Sequence, residues 1–419
     1  MHKYRIRGGT RIRGVLNVGG GKNAALPIIA ALVLSEGESV IHNCPRIADI
    51  EVSIEILRHL GCRTDFAGNT LTVNVQGITA TDIPDVLAKK MRSSILFMGA
   101  LLGKCREVSI CSPGGCNIGL RPIDLHLHGL SAMGAVIEDD GVTMHGKADT
   151  LKGAFIYLRE ASVGATENLM LAAVLAEGET TLTNAAREPE IVDFAKALNS
   201  MGAIVRGAGT STIRITGVKK LHGTTHRIMP DRIVTGTYLM SAAITCGDLT
   251  LNHVNPSDVK AITANLLAMG CRIDEKPASL RLRAPRVPMA IPHLITEAHP
   301  GFPTDMQAPF VAALATAKGV SVIEERIFES RAAHAAELNK MGARITLASD
   351  ERVFVINGRP RLHGAVVESG DLRGGAALIL AGLGAEGETV VTDKGYVARG
   401  YDGLAENLRS VGGEIWLEQ

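Results

Sequence analysis

The feature of this sequence that most constrains its fold is a repeat of about 70 residues that occurs six times. In each copy an apolar helical segment is followed by a glycine and then by a short β-prone segment, as in LSEGESVI, LAEGETTL and GAEGETVV. These glycines lie 66 to 75 residues apart and are Gly37, Gly103, Gly178, Gly247, Gly319 and Gly387. Such a period predicts one supersecondary unit copied along the chain, not a set of unrelated domains.

A second glycine series keeps the same phase and follows segments such as LRHLGCR, LNSMGAI and LNKMGAR. Glycine just past a helix adopts the left-handed conformation at little steric cost, so we predict that the twelve glycines end helices. Alternating segments such as TLTVNV and RVFVI then predict strands. Each repeat is therefore expected to be a helix, a strand, a helix and a strand pair. The second series is Gly61, Gly134, Gly202, Gly270, Gly342 and Gly412.

The first alternating segment, Lys3–Arg7, precedes the first repeat, whereas the last repeat ends in GEIWLE with no spare strand after it. We therefore expect the N-terminal strand to complete the last repeat and to bring the termini together. Its basic residues are interpreted as one solvated strand face. The alternative, a generic α/β fold with coincidental glycines, is disfavoured because the phase holds six times.

Composition excludes several classes of function. The 44 Lys and Arg residues against 43 Asp and Glu leave a formal charge of +1, so no global basic field would attract nucleic acid. The longest strongly apolar run, Leu26–Leu34, has nine residues, whereas a membrane span needs about 20. The charged N-terminus lacks the apolar segment of a signal peptide. Seven cysteines without a CxxC pair indicate neither a disulfide framework nor a zinc ribbon and favour a reducing cytoplasm.

Repeat two contains an extra loop. Its two marker glycines are 31 residues apart, against 23 to 25 in the other repeats, and the surplus falls in Cys111–Arg121, CSPGGCNIGLR. Long loops in compact domains are disproportionately functional. Cys116, among glycines and near Arg121, is interpreted either as a reactive thiol with a depressed pKa or as a small buried cysteine under a turn.

Polar groups also stand at several helix starts. VGGGKNAALP places Lys22 after glycines, where a helix N-terminus can hold an anion, although the Walker A spacing fails and a solvated lysine is the alternative. Similar positions in repeats five and six carry Thr304, Asp305, Asp371, Arg373 and Arg399. Each alone is explained by a solvated loop or a helix cap. With Lys22 and Arg121 they form a cationic set suited to a phosphate, with a candidate carboxylate base.

Several long strings resemble the enolpyruvyl transferase family, and within it the members that use UDP-N-acetylglucosamine. They are GKNAALPI from Gly21, PGGCNIGLRPIDLHLHGL from Pro113, MPDRIVTGTYL from Met229, GFPTDMQAP from Gly301 and ARGYDGL from Ala398. The resemblance, which runs end to end, implies a two-domain inside-out α/β barrel of six pseudo-repeats, three per domain, with helices inside and sheets outside. Residues 22–229 would form one domain and residues 1–21 with 230–419 the other, with substrates in the cleft.

The resemblance implies transfer of enolpyruvate from phosphoenolpyruvate to the 3′-hydroxyl of UDP-N-acetylglucosamine through a tetrahedral intermediate, with release of phosphate. This is the first committed step of bacterial peptidoglycan synthesis. The resemblance further implies a cytoplasmic monomer that needs no cofactor or metal, binds neither nucleic acid nor membrane, and is inhibited by fosfomycin at Cys116.

The resemblance also implies roles for individual residues. Cys116 would protonate the methylene carbon, and Asp305 would deprotonate the sugar hydroxyl or relay its proton. Phosphoenolpyruvate and the departing phosphate would be held by Lys22, Arg121 and Arg399, supported by Arg92 and Arg373. The other implied substrate contacts are Asn23, Pro122, Ile123, Asp124, Leu125, Ser162, Val163, Gly164, Thr304, Ile327 and Asp371.

The chain departs from the family pattern at two positions. Glu160 stands where some relatives carry a diphosphate-binding lysine, so Arg159 beside it is a candidate replacement; Ala332 stands where relatives often have an aromatic residue.

Three competing interpretations are disfavoured. The sister enzyme of the shikimate pathway would carry an NAGTAxR-type motif, and a ring that encircles DNA would be basic. A catalytically silent paralogue would have lost Lys22, Cys116 or Asp305.

Overall fold

The computed structural model describes residues 2–114 and 118–418. Contacts divide the chain into two compact units. Unit 1 comprises Met1–Gly19, Asn117–Leu120 and Pro230–Gln419, and unit 2 comprises Gly20–Cys116 and Arg121–Met229.

Two strands precede the first repeat and three repeats follow in unit 2. The leading strands are β1 (His2–Arg7) and β2 (Arg13–Asn17). Repeat one contains α1 (Lys22–Ala31), β3 (Ser35–His42), α2 (Ala48–His59), β4 (Arg63–Ala67) and β5 (Thr70–Val75). Repeat two contains β6 (Asp82–Ile83), α3 (Asp85–Ala88), α4 (Leu96–Cys105), β7 (Glu107–Cys111), α5 (Asp124–Ala132), β8 (Val136–Asp139) and β9 (Thr143–Lys147). Repeat three contains β10 (Phe155–Tyr157), α6 (Val163–Ala173), β11 (Glu179–Thr183), α7 (Pro189–Ser200), β12 (Ile204–Arg206) and β13 (Thr212–Thr216), and β14 (Leu221–His222) and β15 (Thr225–Arg227) follow it.

The last three repeats lie in unit 1. Repeat four contains α8 (Arg232–Ile244), β16 (Asp248–Asn252), α9 (Lys260–Ala268), β17 (Arg272–Lys276) and β18 (Ser279–Arg283). Repeat five contains β19 (Leu294–Ile295), α10 (Gln307–Leu314), β20 (Val320–Glu324), α11 (Ala333–Lys340), β21 (Ile345–Ala348) and β22 (Val353–Asn357). Repeat six contains β23 (Val366–Glu368), α12 (Leu372–Gly384), β24 (Glu388–Asp393), α13 (Leu404–Ser410) and β25 (Glu414–Glu418). The predicted order of helix, strand, helix and strand pair is confirmed.

The N-terminal strand supplies the strand that repeat six lacks. β1 lies between β24 and β25 and is antiparallel to both, in the order β23-β24-β1-β25. Its apolar side chains, Tyr4 and Ile6, are buried, whereas Arg5 on the other face contacts Glu388 and Glu418 at 2.9 and 3.1 Å. The expectation that this strand completes the last repeat and exposes a basic face is therefore confirmed.

Unit 2 packs three sheets around three buried helices. The sheets have the orders β14-β3-β5-β4 with β15 also on β3, β6-β7-β9-β8, and β10-β11-β13-β12. The central helices α1, α4 and α6 are apolar almost all round, and such helices are stable only when they are surrounded by protein. Gly99 brings α4 close to α6, because a Cβ at this position would lie 2.2 Å from the Asn168 carbonyl oxygen.

Unit 1 repeats this arrangement. Its sheets have the orders β23-β24-β1-β25, β17-β18-β16-β2 and β19-β20-β22-β21, and its central helices are α8, α10 and α12. In both units the helices lie inside and the sheets outside. Each of the six sheets in the described chain is open, so the predicted barrel is a ring of sheets around helices and not a closed β-barrel.

The glycine prediction is confirmed for the whole second series, whose φ angles lie between 87 and 99°. In the first series the left-handed conformation is confirmed at Gly37, Gly178, Gly319 and Gly387, but these glycines do not end helices: Gly37 lies within β3 and the other three directly precede strands. At Gly103 and Gly247 the predicted conformation is also wrong. The left-handed residues there are Arg106, with φ 65°, and Cys246, with φ 52°. Gly103 lies inside α4, and both glycines serve close packing instead, since a Cβ at Gly247 would lie 2.2 Å from a carbonyl oxygen of Ile12.

No helix of the described chain is long and apolar enough to cross a membrane.

Candidate active site

The candidate residues fall into one set in unit 2 and another in unit 1. Cys116, the candidate acid, lies outside the described residues. Most of the other candidates lie at or near the start of a helix.

Lys22 is the first residue of α1, and the half-buried Asn23 follows it. Gly21 precedes the helix in an extended conformation, and no side chain caps this helix start. A helix N-terminus of this kind favours an anion because the helix dipole is positive there. The Lys22 Nζ lies 2.6 Å from Asp49 Oδ2, with side chains only 11% and 4% exposed. Burying an ion pair costs desolvation, and the contact with Asp49 restricts the position of the ammonium group.

Arg92 and Arg121 are in direct contact. The Arg92 guanidinium donates to the Arg121 carbonyl, and Arg121 has a left-handed backbone with φ 47°. Burial and the neighbouring Arg121 charge lower the pKa of Arg92 to about 10. Two half-buried cations side by side favour the binding of an anion.

The segment after Arg121 leads into α5. Pro122 is exposed, Ile123 half-buried and Leu125 buried, while Asp124 begins the helix. Arg159, the candidate replacement for the lysine absent at Glu160, donates to the Asp124 carboxylate. Arg159 is therefore already engaged by a side chain that was itself predicted to contact substrate.

Ser162, Val163 and Gly164 form the start of α6. The Ser162 hydroxyl caps the helix by accepting from the Ala165 amide at 3.3 Å. A Cβ at Gly164 would lie 3.3 Å from the His126 ring, so this helix start lies against α5.

His126 was not predicted to take part in the site. Burial lowers its pKa to about 4, and Asn168 Nδ2 donates to its Nδ1 at 2.9 Å. The Asn168 Oδ1 accepts from the Gly99 amide, which sets the orientation of the carboxamide. His126 is therefore a neutral ring that supports the predicted contacts around it.

Asp305 has the most distinctive surroundings in unit 1. Its Oδ1 accepts from Arg331 Nη2 at 2.8 Å and its Oδ2 from Arg373 Nη2 at 3.0 Å. The two arginine side chains are 5% and 3% exposed and that of Asp305 24%. Burial alone would raise the pKa of Asp305, but the guanidinium groups of Arg373 and Arg331 outweigh it and hold the pKa well below its ordinary value.

Glu325 organises the loop around Asp305. Its carboxylate accepts from the Thr304 hydroxyl and the Ile327 amide, each at 2.8 Å. Arg331 Nη1 also donates to the Thr304 hydroxyl at 2.7 Å. The sequence alone assigns no role to Glu325 or Arg331, because their contacts with Thr304 and Asp305 appear only in the folded chain.

Asp371 and Arg399 occupy helix boundaries. Asp371 caps α12, its Oδ1 accepting from the amides of Arg373 and Gly374 at 2.9 and 3.0 Å. This cap places Arg373 in the first turn of the helix, from which the side chain reaches Asp305. Arg399 ends the short 3-10 helix Val397–Arg399 and is half-buried.

A surface groove of about 600 Å³ on unit 1 contains none of these candidates. It lies on the outer face of β2, β16 and β18, and two of its arginines, Arg281 and Arg283, are already paired with Asp248 and Asp274. We assign the candidate site to the buried charged groups above. Within the described ranges, no three His, Cys, Asp or Glu side chains are grouped to hold a metal ion.

Comparison with known proteins identifies the class first. The sequence model of the family "EPSP synthase (3-phosphoshikimate 1-carboxyvinyltransferase)" matches residues 6–408. The chain belongs to this family of enolpyruvyl transferases, as the sequence motifs predicted.

Full-length relatives identify the branch. A UDP-N-acetylglucosamine 1-carboxyvinyltransferase 2 from Caldanaerobacter subterraneus subsp. tengcongensis is 47% identical, with 99% of both chains covered. A UDP-N-acetylglucosamine 1-carboxyvinyltransferase 1 from Symbiobacterium thermophilum is 49% identical, covering 99% of this chain and 94% of the relative. A UDP-N-acetylglucosamine 1-carboxyvinyltransferase from Magnetococcus marinus is 44% identical, again with 99% of both chains covered. The predicted resemblance and enzyme class are confirmed.

Solved structures confirm the fold. The enolpyruvyl transferase NikO from Streptomyces tendae has a TM-score of 0.89 at 24% identity, with 99% of this chain and 98% of that chain covered. EPSP synthase from Acinetobacter baumannii has a TM-score of 0.75 at 20% identity, with both chains covered completely. The six-repeat α/β architecture is therefore that of the enolpyruvyl transferases.

Proposed function

We propose that this chain transfers the enolpyruvyl group of phosphoenolpyruvate to the 3′-hydroxyl of UDP-N-acetylglucosamine and releases phosphate, in bacterial peptidoglycan synthesis. The observation that carries the proposal is the 44 to 49% identity, over nearly the full chain, to relatives with this enzyme name. The buried cations around Asp305 and at the start of α1 supply the type of group that an anionic substrate needs.

The chemistry is an addition followed by an elimination. The sugar oxygen forms a bond to C2 of phosphoenolpyruvate while a proton adds to C3, which gives a tetrahedral intermediate. The C2–O bond to phosphate then breaks and C3 loses a proton, restoring the double bond. We assign protonation of C3 to Cys116 on the resemblance alone, and removal of the hydroxyl proton to Asp305.

Asp305 is a weak base while both arginines hold it, because its lowered pKa opposes proton uptake. An anionic substrate beside Arg373 would reduce the positive potential at the carboxylate and raise its pKa. The binding of phosphoenolpyruvate would thereby prepare Asp305 to accept the hydroxyl proton. This coupling explains why a proton acceptor would be placed between two guanidinium groups.

The remaining candidate residues are proposed to bind the substrates. Lys22, Arg121 and Arg399, with Arg92 in support, would hold the phosphate that leaves. The nucleotide sugar would contact Asn23, Pro122, Ile123, Asp124, Leu125, Ser162, Val163, Gly164, Thr304, Ile327 and Asp371. We also propose the domain division 22–229 and 1–21 with 230–419, a monomeric state and a cytoplasmic location.

Phosphate release from phosphoenolpyruvate tests the function directly. We expect release in the presence of UDP-N-acetylglucosamine and none above background with shikimate 3-phosphate, since the NAGTAxR-type motif is absent from this chain. The products are identified by mass spectrometry as inorganic phosphate and enolpyruvyl-UDP-N-acetylglucosamine. Release that depends on shikimate 3-phosphate instead would reject the proposal in favour of the sister enzyme.

Fosfomycin tests the proposed role of Cys116. We expect the epoxide to alkylate this thiol and abolish turnover, and Cys116→Asp to remain active and resist the inhibitor, because a carboxyl group can donate a proton but forms no stable thioether. Cys116→Ser should retain the fold and lose most product release. Peptide mass mapping of the treated protein locates the adduct, with Cys246 as the half-buried internal control. A wild type that resists fosfomycin at every dose would contradict the assignment.

A further inference from the structure

The three residues Ile118–Leu120 lie between the proposed acid and Arg121 in the sequence. They belong to unit 1 and are hydrogen-bonded to another short segment of the same unit. The Leu120 amide donates to Glu329 Oε1 at 2.6 Å, and the Ser330 amide donates to the Ile118 carbonyl at 3.2 Å. The hydrogen bond from Leu120 is the main cause that lowers the pKa of Glu329, so the acceptor is an ionised carboxylate. Charge-assisted hydrogen bonds of this kind are among the stronger ones in proteins.

Gly119 makes this contact possible. Its φ of 147° is one that other residues rarely adopt. A Cβ at this position would lie 2.6 Å from Glu329 Oε2 and 2.7 Å from its Cδ, which is closer than real Cβ atoms approach. The Glu329 carboxylate therefore lies directly against the backbone of residue 119.

The contact is mainly polar. Ile118 is 6% exposed, but the Leu120 side chain is 89% exposed and contributes little apolar burial. The position of Leu120 therefore depends on its backbone hydrogen bond to Glu329. Since consecutive Cα atoms are about 3.8 Å apart, a held Leu120 also restricts where its neighbour Arg121 can lie.

The segment that contains Glu329 also holds the surroundings of Asp305. Ile327 and Phe328 donate backbone amides to Glu325, at 2.8 and 3.2 Å, and Arg331 binds Asp305. Glu329 and Ser330 contact the loop instead. The five residues 327–331 therefore include both the arginine that binds the proposed base Asp305 and the glutamate that binds Leu120.

We propose that Glu329 is a positioning residue that anchors Ile118–Leu120 and thereby places Arg121 for phosphoenolpyruvate; this inference rests on the proposed function. Glu329 itself has no role in the chemistry described above. It acts on the backbone, so its effect depends on a carboxylate at 329 and a glycine at 119.

Hydrogen exchange on the free full-length protein tests the anchor. We expect the Leu120 amide to exchange at least about tenfold faster in Glu329→Ala, because it loses its acceptor. Glu329→Gln, whose carboxamide oxygen can still accept, should lie between Glu329→Ala and the wild type. Glu351→Ala, which removes an exposed carboxylate elsewhere in unit 1, is the matched control and should not change this rate.

Steady-state kinetics test the positioning role. We expect Glu329→Ala to raise the KM for phosphoenolpyruvate about tenfold while kcat falls less than about threefold, with the melting temperature unchanged and partial recovery in Glu329→Gln. Gly119→Ala should have a similar effect, and adding Glu329→Ala to it should cost less than the two single changes together.

Three results would overturn the inference. Unchanged exchange at Leu120 in Glu329→Ala removes the anchor. Faster exchange with unchanged kinetics removes the positioning role. If Glu329→Ala and Glu329→Gln lower kcat to the same extent and also lower the melting temperature to the same extent, Glu329 is merely a structural residue. A wild type that does not turn over these substrates would instead reject the proposed function, and the exchange experiment would still test the anchor.

Discussion

Asp305→Asn is expected to lower kcat by about 10² to 10⁴-fold, the contribution typical of a positioned general base. Asparagine preserves the shape of the side chain and one oxygen that can accept from an arginine, but it cannot take up the hydroxyl proton. UDP-N-acetylglucosamine should still bind within a few-fold of the wild-type affinity. Phosphate release gives kcat, and calorimetry gives the affinity for the nucleotide sugar.

Asp248→Asn is the matched control. Asp248 also lies in unit 1, and its two oxygens accept from one arginine, Arg281, at 2.9 and 2.8 Å, but it lies on the outer face of a sheet. We expect its replacement to leave kcat unchanged. If Asp305→Asn and Asp248→Asn both retain wild-type turnover, Asp305 has no part in the proton transfer.

The stability of the Asp305 variants depends on the ion pairs that Asp305 makes with Arg331 and Arg373. Asp305→Ala leaves two buried guanidinium groups without their carboxylate, and breaking a buried pair in this way costs about 3 to 5 kcal/mol. Because the folded-state pKa lies below the ordinary value, the contribution of Asp305 is fully present above the unfolded pKa of about 3.9. It is lost as pH falls through the folded value. The difference in unfolding free energy between variant and wild type should therefore be constant from about pH 5 to 8.

The fold was predictable because the repeat depends on local structure. A glycine directly after an amphipathic helix ends that helix, whatever the helix packs against. All six glycines of the second series have the positive φ that this predicts. Gly103 and Gly247 have the same local pattern but a different role, because the backbone of another segment lies against each of them. That backbone is at Leu171 for Gly103 and at Ile12 for Gly247. Local sequence cannot show which element that will be.

The site was predictable only as a set of residue types. Asp305 and Arg373 stand out as polar groups at helix starts, but Arg331 lies 26 residues from Asp305 and Arg373 lies 68 residues from it. Their meeting depends on how repeats five and six pack. Asp49 was missed for the same reason, since only the fold brings α2 to the start of α1.

Lys22→Ala is the second change from which we expect a large effect, a loss of about 10² to 10³-fold in kcat/KM for phosphoenolpyruvate. Lys22 would supply a cation at a helix N-terminus, where its charge and the helix dipole act on the same phosphate. Asp49→Asn keeps this cation but loses the carboxylate 2.6 Å from it, so we expect a smaller loss of about tenfold.

The control for Lys22 is Lys90→Ala in the same unit. The Lys90 side chain is 50% exposed and its Nζ lies 3.8 Å from Glu55, the geometry of a weak surface pair. Its removal should change kcat/KM for phosphoenolpyruvate less than twofold. The order of loss Lys22→Ala, then Asp49→Asn, then Lys90→Ala would show that Lys22 acts as a bound cation and Asp49 as its support. Equal losses at Lys22 and Lys90 would mean that only the general charge of unit 2 matters, and the assignment of Lys22 to the phosphate would be wrong.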